Sequence, residues 1–156
     1  MTLARERIAF SPDQPGTPDD RARSRRRIDG REVSDRPILV VDDDPEILAM
    51  LRDFLESEGL AVRTASNGAE ALDTLDELAP ALILLDMRMP VLDGWGFAQR
   101  FHERHFGYPI VVMTAAESAR RWAEEIGATG YIATPFDVDE LLQTIERHRQ
   151  RDSKPN

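Results

Sequence analysis

The chain has 156 residues, 41% of them apolar, enough for one domain with a real hydrophobic core. It has no cysteine, which excludes disulfides and thiolate metal sites; it also lacks an apolar run of the ~18 residues that span a bilayer and an apolar stretch behind Arg5 and Arg7 that would make a secretory signal, so a soluble cytoplasmic protein is expected. The net charge of −9 is unevenly spread: residues 1–36 hold 9 Arg against 7 acids, and residues 37–156 hold 11 Lys and Arg against 22 acids, a body that argues against nucleic-acid binding but leaves hard metal cations open.

Residues 1–35 read as a disordered tail. Pro12, Pro15, Gly16, Pro18 and Gly30 interrupt any element, and no helical or strand period persists. The stretch Arg21–Arg31 carries six Arg, read either as a solvated charge run or as a weak electrostatic contact with an anionic partner.

After Pro37 the pattern becomes regular. Ile38-Leu39-Val40-Val41 is a short apolar run ending in acids, as a fully buried strand requires. Pro45 opens a helix that carries Ile47, Leu48, Leu51, Phe54 and Leu55 at helical spacing and stops at Gly59. Ala61–Ala65 is a second strand, and a helix from Gly68 to Leu78 follows. Ala81–Leu85 is a third buried strand, ending at Asp86. A loop over 87–93 with the Asp93-Gly94 turn signal leads into a helix to His105. Pro109–Met113 is a fourth strand, a helix spans 117–126 before Gly127, and Tyr131-Ile132-Ala133 is a fifth strand. Asp137 caps the last helix, with Glu140 completing a capping box and Leu141, Leu142 and Ile145 facing inward. Five strands alternating with five helices predict a doubly wound α/β domain over residues 36–150. It has a parallel sheet in the flavodoxin-like order 2-1-3-4-5, with a C-terminal tail over 151–156.

In such a sheet the ligand site lies beyond the carboxyl ends of the strands, near the first and third. Asp42 and Asp43 close the first strand and Asp86 the third, so three carboxylates converge. Unpaired they repel; a hard divalent cation such as Mg2+ resolves the conflict. Taken alone, Asp42-Asp43-Asp44 reads more readily as a solvated loop before a helix, and the placement of Asp86 reverses that preference in favour of a site. Thr114 ends the fourth strand, where its hydroxyl can reach a group on Asp86 or simply close the strand. Tyr131, on the fifth strand, is otherwise an ordinary packing aromatic.

The segments Ile38–Asp44, Leu84–Gly94 (LLDMRMPVLDG), Val112–Ala115 (VMTA) and Gly130–Phe136 (GYIATPF) resemble, in order and spacing, response-regulator receiver domains of two-component signalling. The resemblance covers about residues 36–150. It implies that Asp86 accepts a phosphoryl group from a histidine kinase or phosphotransfer protein. It also implies that Asp42, Asp43, Asp86 and the backbone carbonyl of Arg88 hold Mg2+, that Thr114 contacts the phosphoryl group, and that Tyr131 is the switch aromatic that swings inward. One position departs. The family places a lysine before Pro-Phe, where this chain has Thr134; the only lysine is Lys154. Losing a charge-assisted hydrogen bond costs ~1.5–3 kcal/mol. Arg88, two residues after Asp86, is a candidate source of replacement charge. The family's X-Pro bond at the position of Thr134-Pro135 is cis.

Three function classes follow: a phosphorylation-controlled signalling module, a pseudo-receiver that binds partners without being switched, and a magnesium-dependent hydrolase. His102, His105 and His148 fall on helices, so no acid/base partner for a hydrolase is evident. With no effector domain after the last helix, a stand-alone receiver is expected that signals through a downstream protein and does not bind DNA directly. Its expected output face is the fourth helix, fifth strand and last helix, where Trp122 is either an exposed anchor or core. A chain beginning at Ser34 is expected to melt within a few degrees of the full-length protein; a large fall in melting temperature would show that the tail docks on the domain.

Overall fold

The structure, a computed structural model, describes residues 26–28, 31–33 and 36–149. The chain divides between Asp35 and Arg36. In the first part, Arg26–Ile28 and Arg31–Val33 pair antiparallel, with Ile28 opposite Arg31. The sequence reading placed no element here. The intervening dipeptide, Asp29-Gly30, is one that two-residue hairpins favour, but charged flanks hide the strand pattern. The rest of the expected disordered tail, and residues 150–156, lie outside the described residues.

From Arg36 onward the order is β1 (Ile38–Val41), α1 (Pro45–Ser57), β2 (Val62–Ala65), α2 (Gly68–Leu75), β3 (Leu82–Asp86), α3 (Gly94–Glu103), β4 (Ile110–Ala115), α4 (Ala116–Ile126), β5 (Gly130–Thr134) and α5 (Val138–His148). The five strands are parallel in the order β2-β1-β3-β4-β5, as the alternating pattern predicts. Because side chains alternate across a strand, the three central strands β1, β3 and β4 each feed two cores. Leu39, Val41, Ile83, Leu85 and Val112 face α2, α3 and α4, meeting Leu72, Phe97, Phe101 and Trp122. Val40, Leu84, Val111, Met113 and Ile132 face the other side, meeting Leu51 and Leu55 of α1 and Leu141 and Ile145 of α5. Burial on both faces is why these three central strands read as apolar runs, whereas the edge strands β2 and β5 do not.

Four of the helices begin on a side-chain cap. Asp44, Asn67, Asp93 and Asp137 accept backbone N–H bonds from Glu46, Glu70, Gly96 and Glu140. Asp93-Gly94 is therefore a helix start, not a free turn. The exception is α4, whose cap residue Ala115 offers no side-chain bond. Two helices end earlier than the apolar spacing suggested: α2 at Leu75, and α3 at Glu103, beyond which His105 takes the left-handed φ of 60°.

Trp122 is core: it is buried beneath α4, and its ring meets that of Trp95 edge-on at 4.9 Å. Trp122→Ala is expected to cost about 3–5 kcal/mol, the usual result of emptying a buried aromatic site. Tyr131→Ala, at a side chain 46% exposed, is expected to change stability by under about 1 kcal/mol. Urea unfolding midpoints of the two variants check the contrast.

Candidate functional site

Strand register assembles the site. Val41 pairs with Leu85, so the next residues stand side by side, Asp42 just past the end of β1 and Asp86 as the last residue of β3. Asp43 adds a third carboxylate, and one oxygen from each of Asp42, Asp43 and Asp86 lies within 4.8 Å of the others. Asp86 pairs with Met113, which carries Thr114 to the rim one residue further along β4. Ala115 pairs with Thr134, which brings the end of β5 to the same level. The sheet thus gathers Asp42, Asp86, Thr114 and Thr134 around one cleft of about 520 Å³.

The acids are crowded and partly desolvated. Asp42 and Asp86 are half-buried and Asp43 is exposed. Burial pushes the Asp86 carboxyl up from 3.8 to about 6, reinforced by the negative charge of Asp42 and opposed by the backbone N–H of Arg88, which lies 3.4 Å from Asp86 Oδ1. Asp42 is raised too, first by burial, although the Asp44 N–H donates to its Oδ1 at 2.9 Å. Three convergent carboxylates, two of them held partly away from water, form a donor set that suits a hard oxygen-seeking divalent cation.

Around the acids, the loop after Asp86 is pinned by two close contacts. Gly94 N–H donates to Met87 O at 2.9 Å, and Gly68 N–H to Leu92 O at 2.9 Å. A Cβ at Gly94 would lie 2.8 Å from Met87 Cα, and one at Gly68 2.6 Å from Leu92 O, so both backbones need glycine to approach. Between these anchors Val91 takes a φ of 71° while the Leu92 N–H reaches back to Pro90 O at 2.7 Å. A β-branched residue at the centre of such a γ-turn is strained.

Two of the residues singled out from sequence sit elsewhere. Tyr131 pairs with Val112, three positions before Thr134, and does not line the cleft; its side chain points largely to solvent. The Arg88 side chain turns away from the acids, with its Cζ 5.1 Å from the centre of the Trp122 ring, a cation–π arrangement. Trp95 closes the same cluster by donating from Nε1 to Glu125 Oε1 at 2.9 Å. In this conformation the Arg88 guanidinium therefore adds no charge at Thr134, where the peptide bond to Pro135 is cis. Sequence reasoning missed the apolar side of the cleft, formed by Ile47 and Met50 of α1 with Pro135 and Phe136. Met50 lies outside the apolar stripe of α1, and only its proximity to the rim marks it.

Residues 38–146 match the family model described as "Response regulator receiver domain". The chain is 37% identical over 123 residues to the DNA-binding transcriptional regulator NtrC of Escherichia coli K12, an alignment covering 76% of this chain and 26% of that protein. It thus spans about a quarter of that relative's length. Among solved structures, the receiver domain of NtrX from Brucella abortus superposes with a TM-score of 0.66 at 31% identity, covering 71% of this chain and 96% of that one. The response regulator TrrA of Thermotoga maritima, solved in complex with Mg2+-BeF, gives 0.64 at 30%, covering 72% and 97%.

The raised Asp86 carboxyl has a signed consequence for stability. The folded state holds its proton more tightly than the unfolded chain, so the stability this group contributes is fully present below pH 3.8 and is lost as pH rises through about 6. Without divalent metal, Asp86→Asn is expected to melt above the wild type at neutral pH, with the gap closing towards pH 4. Melting temperature against pH for the two proteins in chelator is the measurement. Parallel curves would show that Asp86 carries no such penalty.

Proposed function

This chain belongs to the response regulator receiver domain family, and on that premise we propose that it accepts a phosphoryl group on Asp86 from a phosphohistidine of a kinase or phosphotransfer protein. The observation that carries the reading is the convergence of Asp42, Asp43 and Asp86, with carboxylate oxygens within 4.8 Å of one another, beside Thr114 on the next strand. An Asp86 carboxylate oxygen attacks the phosphorus, the P–N bond breaks, and the imidazole leaves with the bonding pair and takes up a proton. Asp42, Asp43, Asp86 and the Arg88 carbonyl are the residues that would hold Mg2+. When bound, it would supply positive charge between the acids and the phosphoryl oxygens. Thr114 donates its hydroxyl to a phosphoryl oxygen, and Tyr131 turns inward as the fourth- and fifth-strand rim rearranges, a two-state switch biased by the phosphate. Beyond this transfer and the hydrolysis of its own acyl phosphate, the domain catalyses nothing.

Signalling then runs by contact with a downstream protein, in the cytoplasm, as one step of a phosphorelay. No described helix is long and apolar enough to cross a membrane. NtrC binds DNA by its name, but the matched segment is about a quarter of it, and the body of the present chain is strongly acidic. The proposed role of the domain itself is therefore phosphoacceptance and protein contact, not DNA recognition. A hydrolase reading has no support at the cleft: among the described residues no histidine lines it. His102 Nε2 lies 2.9 Å from Ile126 O, and His148 packs at Gly130.

A second reading, a pseudo-receiver that binds partners without being switched, is favoured by one observation. Thr134 stands in the cleft and, among the described residues, no cationic side chain lines it. Incubation with a small phosphodonor and Mg2+, followed by intact mass, separates the two. The expected result is one added phosphoryl group on the wild type and none on Asp86→Ala. Thr134→Lys is expected to enlarge the amide chemical-shift response around Thr114 and Tyr131 to beryllofluoride. If the wild type gains no mass under any donor, the pseudo-receiver reading replaces the first.

A further inference from the structure

The loop after Asp86 places Val91 in a conformation that its side chain opposes and that no packing offsets. Its φ is 71°, in the left-handed region that a side chain branched at Cβ disfavours. The side chain is 80% exposed, against 46–47% for Met50, Tyr131 and Val138, so burial within the domain does not compensate the strain. Nor is the turn free to relax. Gly94 N–H holds Met87 O on one side, and Gly68 N–H holds Leu92 O, next to Val91, on the other, both through approaches that require glycine. Glycine or asparagine would take the same φ with less strain. Strain of this kind is kept where function requires it.

We propose that Val91 is a specificity residue for the protein that donates the phosphoryl group: its exposed side chain seats against an apolar spot on that protein, and the strained turn holds it out from the rim. The proposal rests on the phosphoacceptor reading of Asp86. The loop leaves the carboxyl end of β3, where Asp86 is the last residue, and Val91 follows it by five residues. That length of chain spans at most about 18 Å when fully extended, and the bond between Gly94 and Met87 folds it back. A standard protein interface covers about 800 Å² of each partner, a patch about 16 Å in radius. A protein that brings a phosphohistidine to Asp86 therefore reaches Val91, whereas a small phosphodonor does not. Branching at Cβ leaves the side chain few rotamers, so little freedom is lost when it is covered. Val91 thus separates protein donors from one another while taking no part in the chemistry at Asp86.

The test compares the full-length wild type with Val91→Asn, which accepts the left-handed turn but is polar, and Val91→Met, which keeps an apolar side chain without the branch. Each is phosphorylated in Mg2+ by phosphoramidate and by a panel of purified histidine phosphotransfer proteins loaded on their histidine, and kcat/KM is read by intact mass. Phosphoramidate is expected to modify all three at the wild-type rate. Val91→Asn is expected to melt a few degrees above the wild type. It should nevertheless lose about tenfold or more in transfer from the phosphoproteins that serve the wild type best, the usual effect of one buried valine. Val91→Met should retain most of that transfer. The proposal is overturned if Val91→Asn accepts from every panel member as the wild type does, or if Val91→Met loses as much as Val91→Asn. It is overturned too if phosphoramidate is slowed to the same degree, since the turn would then act on Asp86 and not on a donor. A melting temperature for Val91→Asn at or below that of the wild type would remove the strain it starts from, with the same result. It also falls if phosphoramidate modifies the wild type and no panel member does. In all these cases the phosphoacceptor reading stands; only if neither kind of donor modifies the wild type do both fall together.

Discussion

The parallel pairing of β1 with β3 places two carboxylates side by side at the carboxyl end of the sheet, and the rest of the rim is organised around their repulsion. The strands cannot slip to relieve it. A shift of one residue would turn every side chain of β1 to the opposite core, moving Leu39 and Val41 out of the layer they share with Phe97 and Trp122. The apolar energy of two cores thus holds Asp42 and Asp86 in a contact that their charges oppose. That is the condition for a site whose charge is relieved from outside, by a cation or by conversion of one carboxylate to an acyl phosphate.

The same constraint explains what could be read from the residues. An apolar run that ends in acid on two separate strands implies, with the right-handed crossover rule, that the acids meet; Asp42, Asp43 and Asp86 follow from pattern and topology. Thr114 follows for the same reason, since it reads as the close of the fourth strand of the same sheet, whereas Thr134 is marked only by the resemblance, as the position where the family has lysine. What eluded the pattern was side-chain direction. Trp122 on an amphipathic helix is compatible with either face, and its burial is decided by Trp95 and the space left under α4. Arg88 is adjacent to the acids in sequence, yet its long side chain lies along the opposite face of the sheet layer, on an aromatic ring. Met50 belongs to the polar side of α1 by period and to the cleft by position. The paired strands around Asp29-Gly30 were lost among arginines that make a poor strand signature.

Arg88 and Trp122 also connect parts of the molecule that the sheet alone does not. The backbone N–H of Arg88 faces Asp86 while its guanidinium rests on a ring of α4. Glu125, one turn along that helix, holds Trp95 of α3. Side-chain contacts thus link the loop at Asp86 to the middle of α4.

That start is the one helix N-terminus in the described domain with no side-chain cap. The orphan amides of its first turn have only solvent to satisfy them. Capping typically contributes about 0.5–2 kcal/mol, so the first turn of α4 opens at lower cost than its counterparts, while the aromatic cluster steadies the turns beyond. In hydrogen-exchange terms, the helix has a labile leading edge attached to a protected body. The junction between Thr114 and Ala116 is then a hinge where the chain can shift by a local unfolding event, without breaking either core.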